Sequence, residues 1–97
     1  MALSDTQLFV GITASTATFQ LWGGQYSVAY LPASGATSNW QMQRLGPDGS
    51  TYMAEFGIVA SGHPYGYRQT FDLPPGIYQI SLAAGSTTGD DIEIVRF

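Results

Sequence analysis

His63 is the one imidazole of the chain and there is no cysteine, so any chemistry has to come from carboxylates, hydroxyls and aromatic rings. A metal held by His63 would need carboxylates as its other ligands. Asp72, Asp90, Asp91 and Glu93 are the acids on offer, but none stands at a known ligand spacing from His63. Asp90, Asp91 and Glu93 form the densest acidic group, a start toward the six or more oxygens of a calcium site. The alternating Asp/Asn loop with a central glycine is missing ahead of them. They read more simply as an acidic strand edge that discourages pairing with another chain, with Glu93 outward between Ile92 and Ile94. Nucleophilic catalysis needs a hydroxyl beside a base, yet His63 runs straight into Pro64 and no glycine frames a serine in an elbow. Glu55 and Asp72 can be paired on paper for glycoside hydrolysis, as any two acids of a small domain can. Gly23, Gly24 and the other glycines mark turns and open no helix, so they cradle no phosphate. The chain therefore reads as a non-enzyme without metal or cofactor.

The aromatic residues are the stronger lead. Two tryptophans, six tyrosines and five phenylalanines exceed what one small core holds, and Tyr and Trp suit surfaces that are apolar at one end and wet at the other. Trp40 alternates with Met42 and reads as core. Trp22, Tyr65 and Tyr67, with His63 in the same loop region as the two tyrosines, are the candidate interface residues, and either a protein subunit or a sugar would use such rings.

Composition narrows the partners. Ninety-seven residues make one domain. There is no lysine, Arg44, Arg68 and Arg96 are scattered, and the formal charge is −4, which argues against direct contact with nucleic acid. No disulfide or thiolate site can form without cysteine. No secretion leader or membrane span is read, so a soluble protein made in a cytoplasm is expected. Charged residues are 10% of the chain, against about 25% in average soluble domains. Ser, Thr, Gln and Gly keep the surface wet instead, and such a surface can be buried against a partner without stripping ions of water.

The elements that must position these residues are short strands. Trp40 to Tyr52 predicts a hairpin, with Gly46-Pro47-Asp48-Gly49 as its turn and Trp40 and Met42 on one dry face. Gly23-Gly24 predicts a second hairpin between a strand over 14–22 and one carrying Tyr26, Val28 and Tyr30. Further strands are expected over 7–11, over 51–58, around Tyr67 to Phe71, over 77–84 and at Ile92 to Phe97. Pro74-Pro75-Gly76 predicts a type II turn with glycine at its third position. Residues 1–6 read as a flexible arm able to add a strand to a neighbour. Strands recurring every 8 to 12 residues with turn signals between, and no helical periodicity, predict an all-β fold: a single antiparallel β-sandwich of 7 to 8 short strands, jelly-roll-like or immunoglobulin-like.

The segments LGPDGSTY (Leu45 to Tyr52), DLPPGIYQISL (Asp72 to Leu82) and the ending IVRF (Ile94 to Phe97), with Gly23, Gly24 and Tyr26 as a GG-x-Y opening, resemble small β-sandwich virion proteins of tailed bacteriophages and prophages, of the capsid cement or decoration kind. The resemblance covers about the last three quarters of the chain. It departs at Ser61 to Tyr67 and at the acidic end. It implies a structural protein on the capsid surface, a homotrimer whose partner is the major capsid protein. A tail or neck protein, or a carbohydrate-binding or adhesion module, is the alternative.

Overall fold

Alternation of apolar and polar residues becomes eight strands in two four-stranded sheets. The computed structural model describes residues 6–96. The strands are β1 (Gln7–Ile12), β2 (Phe19–Leu21), β3 (Gly24–Leu31), β4 (Asn39–Leu45), β5 (Tyr52–Val59), β6 (Tyr67–Leu73), β7 (Gly76–Ala84) and β8 (Asp90–Arg96). One sheet has the order β1-β8-β3-β6 and the other β2-β7-β4-β5, and all pairings are antiparallel. The first strand thus pairs with the last, the second with the seventh, the third with the sixth and the fourth with the fifth, as if one long hairpin had been rolled on itself. That order is a jelly roll. It excludes the immunoglobulin arrangement, in which the first two strands share a sheet.

Trp40, Met42, Tyr26, Val28, Tyr30, Tyr78, Ile80, Ile92 and Ile94 meet between the sheets and are buried, each set at the period of two that the sequence shows. Phe56 of β5 stacks on Phe71 of β6 with ring centroids 3.7 Å apart, which packs the two sheets together beside their edge strands. Tyr67 and Phe71 pair with the buried Tyr30 and Tyr26, so β6 turns its aromatic residues inward.

Three local expectations differ from what forms. The strand expected over 14–22 is regular only at Phe19–Leu21. Ahead of it the chain still follows β7 through hydroxyls, with Ile80 N–H donating to Thr16 Oγ1 and Leu82 N–H to Ser15 Oγ, each at 3.1 Å. Gly23 and Gly24 turn no hairpin: at φ of 93° and 128° they carry the chain from one sheet to the other, and among the described residues only β4–β5 is a hairpin between neighbours in sequence. Gly76 is absent from the positive-φ glycines, so no type II turn forms. Its glycine makes room, since a Cβ there would lie 2.7 Å from Arg44 Nε. The 46–49 turn forms as expected, with Gly49 N–H donating to Gly46 O and Gly49 at φ 75°. Of the expected arm only Thr6 is described; residues 1–5, like Phe97 at the far end, lie outside the described residues.

Candidate functional site

The acidic group at the start of β8 divides into three separate roles. β8 is flanked by β1 and β3, so it is an interior strand and the edge reading fails. Asp90 takes the same inward parity as Ile92 and Ile94 and is fully buried. Its Oδ2 accepts from Trp40 Nε1 at 2.8 Å, Tyr30 OH at 2.8 Å and Ser38 Oγ at 2.5 Å. Its Oδ1 accepts from Ala33 N–H at 2.8 Å and Thr87 Oγ1 at 2.5 Å. Burial pushes this carboxyl up, but the hydrogen bonds from Ser38, Thr87, the Ala33 backbone and Trp40 outweigh it and hold the group down at about 2. Burial likewise pushes the Tyr30 hydroxyl up to about 12, so it stays a protonated donor. No described cation pairs with Asp90; its charge is met by dipoles from the 32–38 loop, β3, β4 and the 85–89 loop. Asp91 accepts from Gly11 N–H at 2.8 Å, at the register shift in β1. Glu93 pairs with Arg68 at 3.2 Å. Among the described residues no group of three His, Asp or Glu could hold a metal ion, and the calcium candidate is dispersed accordingly.

The Asp90 cluster fixes the end of the sandwich from which the 60–66 loop projects. Ala60 N–H donates to Ser38 O, and two turns follow, His63 N–H to Ala60 O and Gly66 N–H to His63 O, all at 3.0 Å. Gly66 sits at φ 80°, and a Cβ on it would fall 2.2 Å from Tyr30 O, so the loop is seated directly on the end of β3. Pro64 presets the second turn and leaves Tyr65 at its apex, 92% exposed.

The four candidate interface residues do not form one surface. Tyr67 turns inward: its ring meets Tyr30 edge-on at 5.9 Å and His63 at 4.2 Å, and its hydroxyl accepts from Val59 N–H at 3.3 Å, linking the two sheets. His63 lies partly buried against that ring. Trp22, 59% exposed, precedes β3, whereas Gly66 and Tyr65 abut its far end; eight residues of strand separate them by about 25 Å. Glu55 and Asp72 are not brought together as a catalytic pair either. Glu55 is the residue left over where β5 shifts register against β4, while Asp72 lies opposite Gln25 in the other sheet.

Around Tyr65 there are two clefts. One, of about 400 Å³, lies over the outer face of β8-β3-β6, floored by Ala29 and Leu31 and bordered by Leu8, Tyr65, Arg68, Asp91 and Glu93. The register explains this grouping: Ala29 sits between Arg68 and Glu93, Leu31 opposite Asp91, and Leu8 opposite Glu93. Ser27 Oγ accepts from Arg68 Nη1 while Glu93 accepts from Nη2, so the guanidinium is held in place. The second cleft, about 770 Å³, lies between the 32–36 and 60–65 loops and includes no charged residue. These charged neighbours of Tyr65 were missed in the sequence because they come from β6 and β8. The period of two does place Asp91 and Glu93 on one face and Asp90 with Ile92 on the other.

The opposite outer face, on β7-β4-β5, has a different chemistry. Gln43 Nε2 donates to Gln41 Oε1 and Gln79 Nε2 to Gln43 Oε1, both at 2.7 Å. Ser15 Oγ meets Ser81 Oγ at 3.3 Å. The cross-strand rows Gln79-Gln43-Ala54 and Ser81-Gln41-Gly57 contain no charge.

No protein-family model and no curated protein matches the sequence. Similarity to solved structures lies in the fold. A protein derived from the SPBc2 prophage, YomS, superposes with a TM-score of 0.58 at 13% identity, covering 98% of this chain and 96% of that one. A chain from the disulfide-linked pili of Bacillus endospore appendages gives 0.46 at 20% identity over 96% and 84% of the two chains. The Yersinia pseudotuberculosis-derived mitogen gives 0.47 at 12% identity over 95% and 82%.

Proposed function

We propose that this chain is a non-enzymatic structural protein of a phage particle, and specifically a capsid cement protein. In this reading it is made in the host cytoplasm and sits on the outside of the shell as a homotrimer, bridging major capsid subunits. The observation that carries the reading is the glutamine face of β7-β4-β5. Its amides are already linked in a chain, Gln79 to Gln43 to Gln41, and these rows carry no charge, so covering them strips no ion of water and orders few side chains, which lowers the cost of docking. Many modest contacts repeated with the symmetry of a shell would add up by avidity. Support also comes from the prophage origin of YomS, which shares the fold over nearly the full length of both chains, and from the segments that resemble virion proteins.

The test is a pair of shells with and without the protein, heated or pressurised. Shells carrying it should survive longer, and equal survival overturns cementing. Gln43→Glu places a charge in the middle of the amide chain and should weaken attachment at least about tenfold, because that charge would be desolvated without a partner. The same substitution should leave the free protein folded.

A further inference from the structure

We infer that the cleft beneath Tyr65, on the outer face of β8-β3-β6, is a binding site for an uncharged saccharide unit. The inference does not rest on the virion reading, since it uses a different face of the sandwich. Its volume of about 400 Å³ is within the roughly 300–1,000 Å³ in which small ligands are held. A sugar ring has an apolar C–H face and a rim of hydroxyls, and the cleft has the complementary distribution. Tyr65 supplies a free ring, Ala29, Leu31 and Leu8 an apolar floor and side, and Asp91, Glu93 and Arg68 the polar border.

The polar groups are fixed before any ligand arrives. Asp91 is pinned by Gly11 N–H through one oxygen, and a carboxylate has acceptor positions left for hydroxyl donors. Arg68 is held by Ser27 and Glu93 and keeps unused N–H donors of its five. Tyr65 is carried at the apex of the 63–66 turn, whose Gly66 backbone lies close against Tyr30 O. A tyrosine ring has only two side-chain torsions to fix, so it loses little entropy on stacking.

Charge decides the class of sugar. Asp91 and Glu93 outnumber Arg68, so the border is net negative and would repel sialylated, sulfated or phosphorylated units. Glu93 is already paired with Arg68 and Asp91 is met by Gly11 N–H, so one carboxylate is left to accept from the hydroxyls of a neutral polyol. Past the same ring, the second cleft has no charged lining and gives room for the next unit of an oligosaccharide.

The test titrates the full chain with methyl glycosides of glucose, galactose, mannose and N-acetylglucosamine, and with sialyllactose as an anionic counterpart, read by saturation-transfer NMR and chemical-shift changes. At least one neutral glycoside should bind with a Kd tighter than about 10 mM. Tyr65→Ala should weaken it about tenfold by removing the stacked ring, and Asp91→Asn should weaken it less. Trp22→Ala, at the other end of the sandwich, should leave it unchanged. No binding by any neutral member, preference for sialyllactose, or binding that survives Tyr65→Ala would each overturn the site. So would a Tyr65→Ala protein that loses attachment to a particle when the unmodified chain binds no sugar, since the ring would then be a contact for protein.

Discussion

At the end of the sandwich that carries Tyr65, the 32–38 and 85–89 loops are tied to one buried carboxylate and to each other, and the 60–66 loop is tied to the first of them. At the opposite end, the bonds from Arg44, Tyr78 and Gly23 go to separate acceptors, and the 46–51 turn closes on its own Asp48. Asp90 gathers Ala33, Ser38 and Thr87 around itself. Thr37 N–H donates to Ser86 O, and Ala60 N–H to Ser38 O. At the far end Arg44 Nη2 donates to Pro75 O at 2.7 Å, Tyr78 OH to Pro74 O at 2.5 Å, and Gly23 N–H to Tyr26 OH at 3.1 Å. The shared acceptor makes the first set cooperative, because moving Asp90 releases both loops that bond to it at once. The second set consists of pairs that can be lost one at a time. The difference teaches where this fold ties its loops together: around the carboxylate, at the end that carries Tyr65.

The largest effect expected is at Asp90. Asp90→Ala strands several buried donors and should cost about 4 kcal/mol or more in urea unfolding. Asp90→Asn is the sharper probe. The hydroxyls of Tyr30, Ser38 and Thr87 can rotate to accept, but Trp40 Nε1–H on one oxygen and Ala33 N–H on the other can only donate. Whichever way the amide is turned, its NH2 meets one obligate donor, so about 2–3 kcal/mol should be lost. A loss under about 1 kcal/mol would mean that the loops hold together without the carboxylate, and the contrast between the ends would collapse.

Gly66→Ala follows. The new methyl would need φ near 80° and would fall 2.2 Å from the Tyr30 carbonyl oxygen, a backbone atom that belongs to a central strand. About 2–3 kcal/mol of destabilisation is expected from the left-handed strain and the displaced loop, with the turn that carries Tyr65 shifted off the end of β3. NMR order parameters of the 60–66 backbone check the second part, and an unchanged loop would break the link between the cluster and the ring.

These same residues mark how far the sequence could be read. The core was legible because Trp40 with Met42, Tyr26 with Val28 and Tyr30, and Tyr78 with Ile80 keep a strict period of two, and burial follows period. The sandwich and its strand count were legible for the same reason. The order of strands was not, since β1 and β8 are joined by pairing across the whole length of the chain, and nothing local encodes that. Gly23-Gly24 misled because two glycines before a strand serve a crossing between sheets as well as a hairpin. Asp90 was misread with Asp91 and Glu93 because composition groups neighbours, whereas a strand separates them. The spacing Ser38-Trp40-Met42 and Asp90-Ile92-Ile94 already put a polar residue at the head of two apolar rows. The cleft under Tyr65 was illegible because its border is assembled from three strands and a loop.

Acid separates the two ends by titration. The Asp90 carboxyl is held at about 2 against an ordinary value of 3.8, so its contribution is present in full above about pH 4 and is lost as pH falls through 2. The size is about 2 kcal/mol. Asp48 in the 46–51 turn is also held at about 2, by the Thr51 hydroxyl and by the Ser50 and Thr51 N–H groups, but it is exposed and water screens it. Urea unfolding from pH 5 down to 2 should therefore lose most of its pH dependence in Asp90→Asn and only a minor part in Asp48→Asn. The reverse order would shift the electrostatic weight to the far end.

Gly76→Ala should have the smallest effect, and it tests whether the far end is as loosely coupled as its one-to-one bonds suggest. The added Cβ would lie 2.7 Å from Arg44 Nε, a softer contact than the 2.2 Å at Gly66. The obstacle is also the tip of a flexible side chain, and Arg44 Nε is buried without a hydrogen-bond partner, so moving it costs the bond to Pro75 O and the interaction with the Tyr78 hydroxyl. Gly76 also has no positive φ to strain, and alanine restricts the unfolded chain more than glycine does. The net loss should stay near or below about 1 kcal/mol. A loss as large as that of Gly66→Ala would show that Arg44 anchors its end as Asp90 does the other, and the two ends would then differ in charge but not in cooperativity.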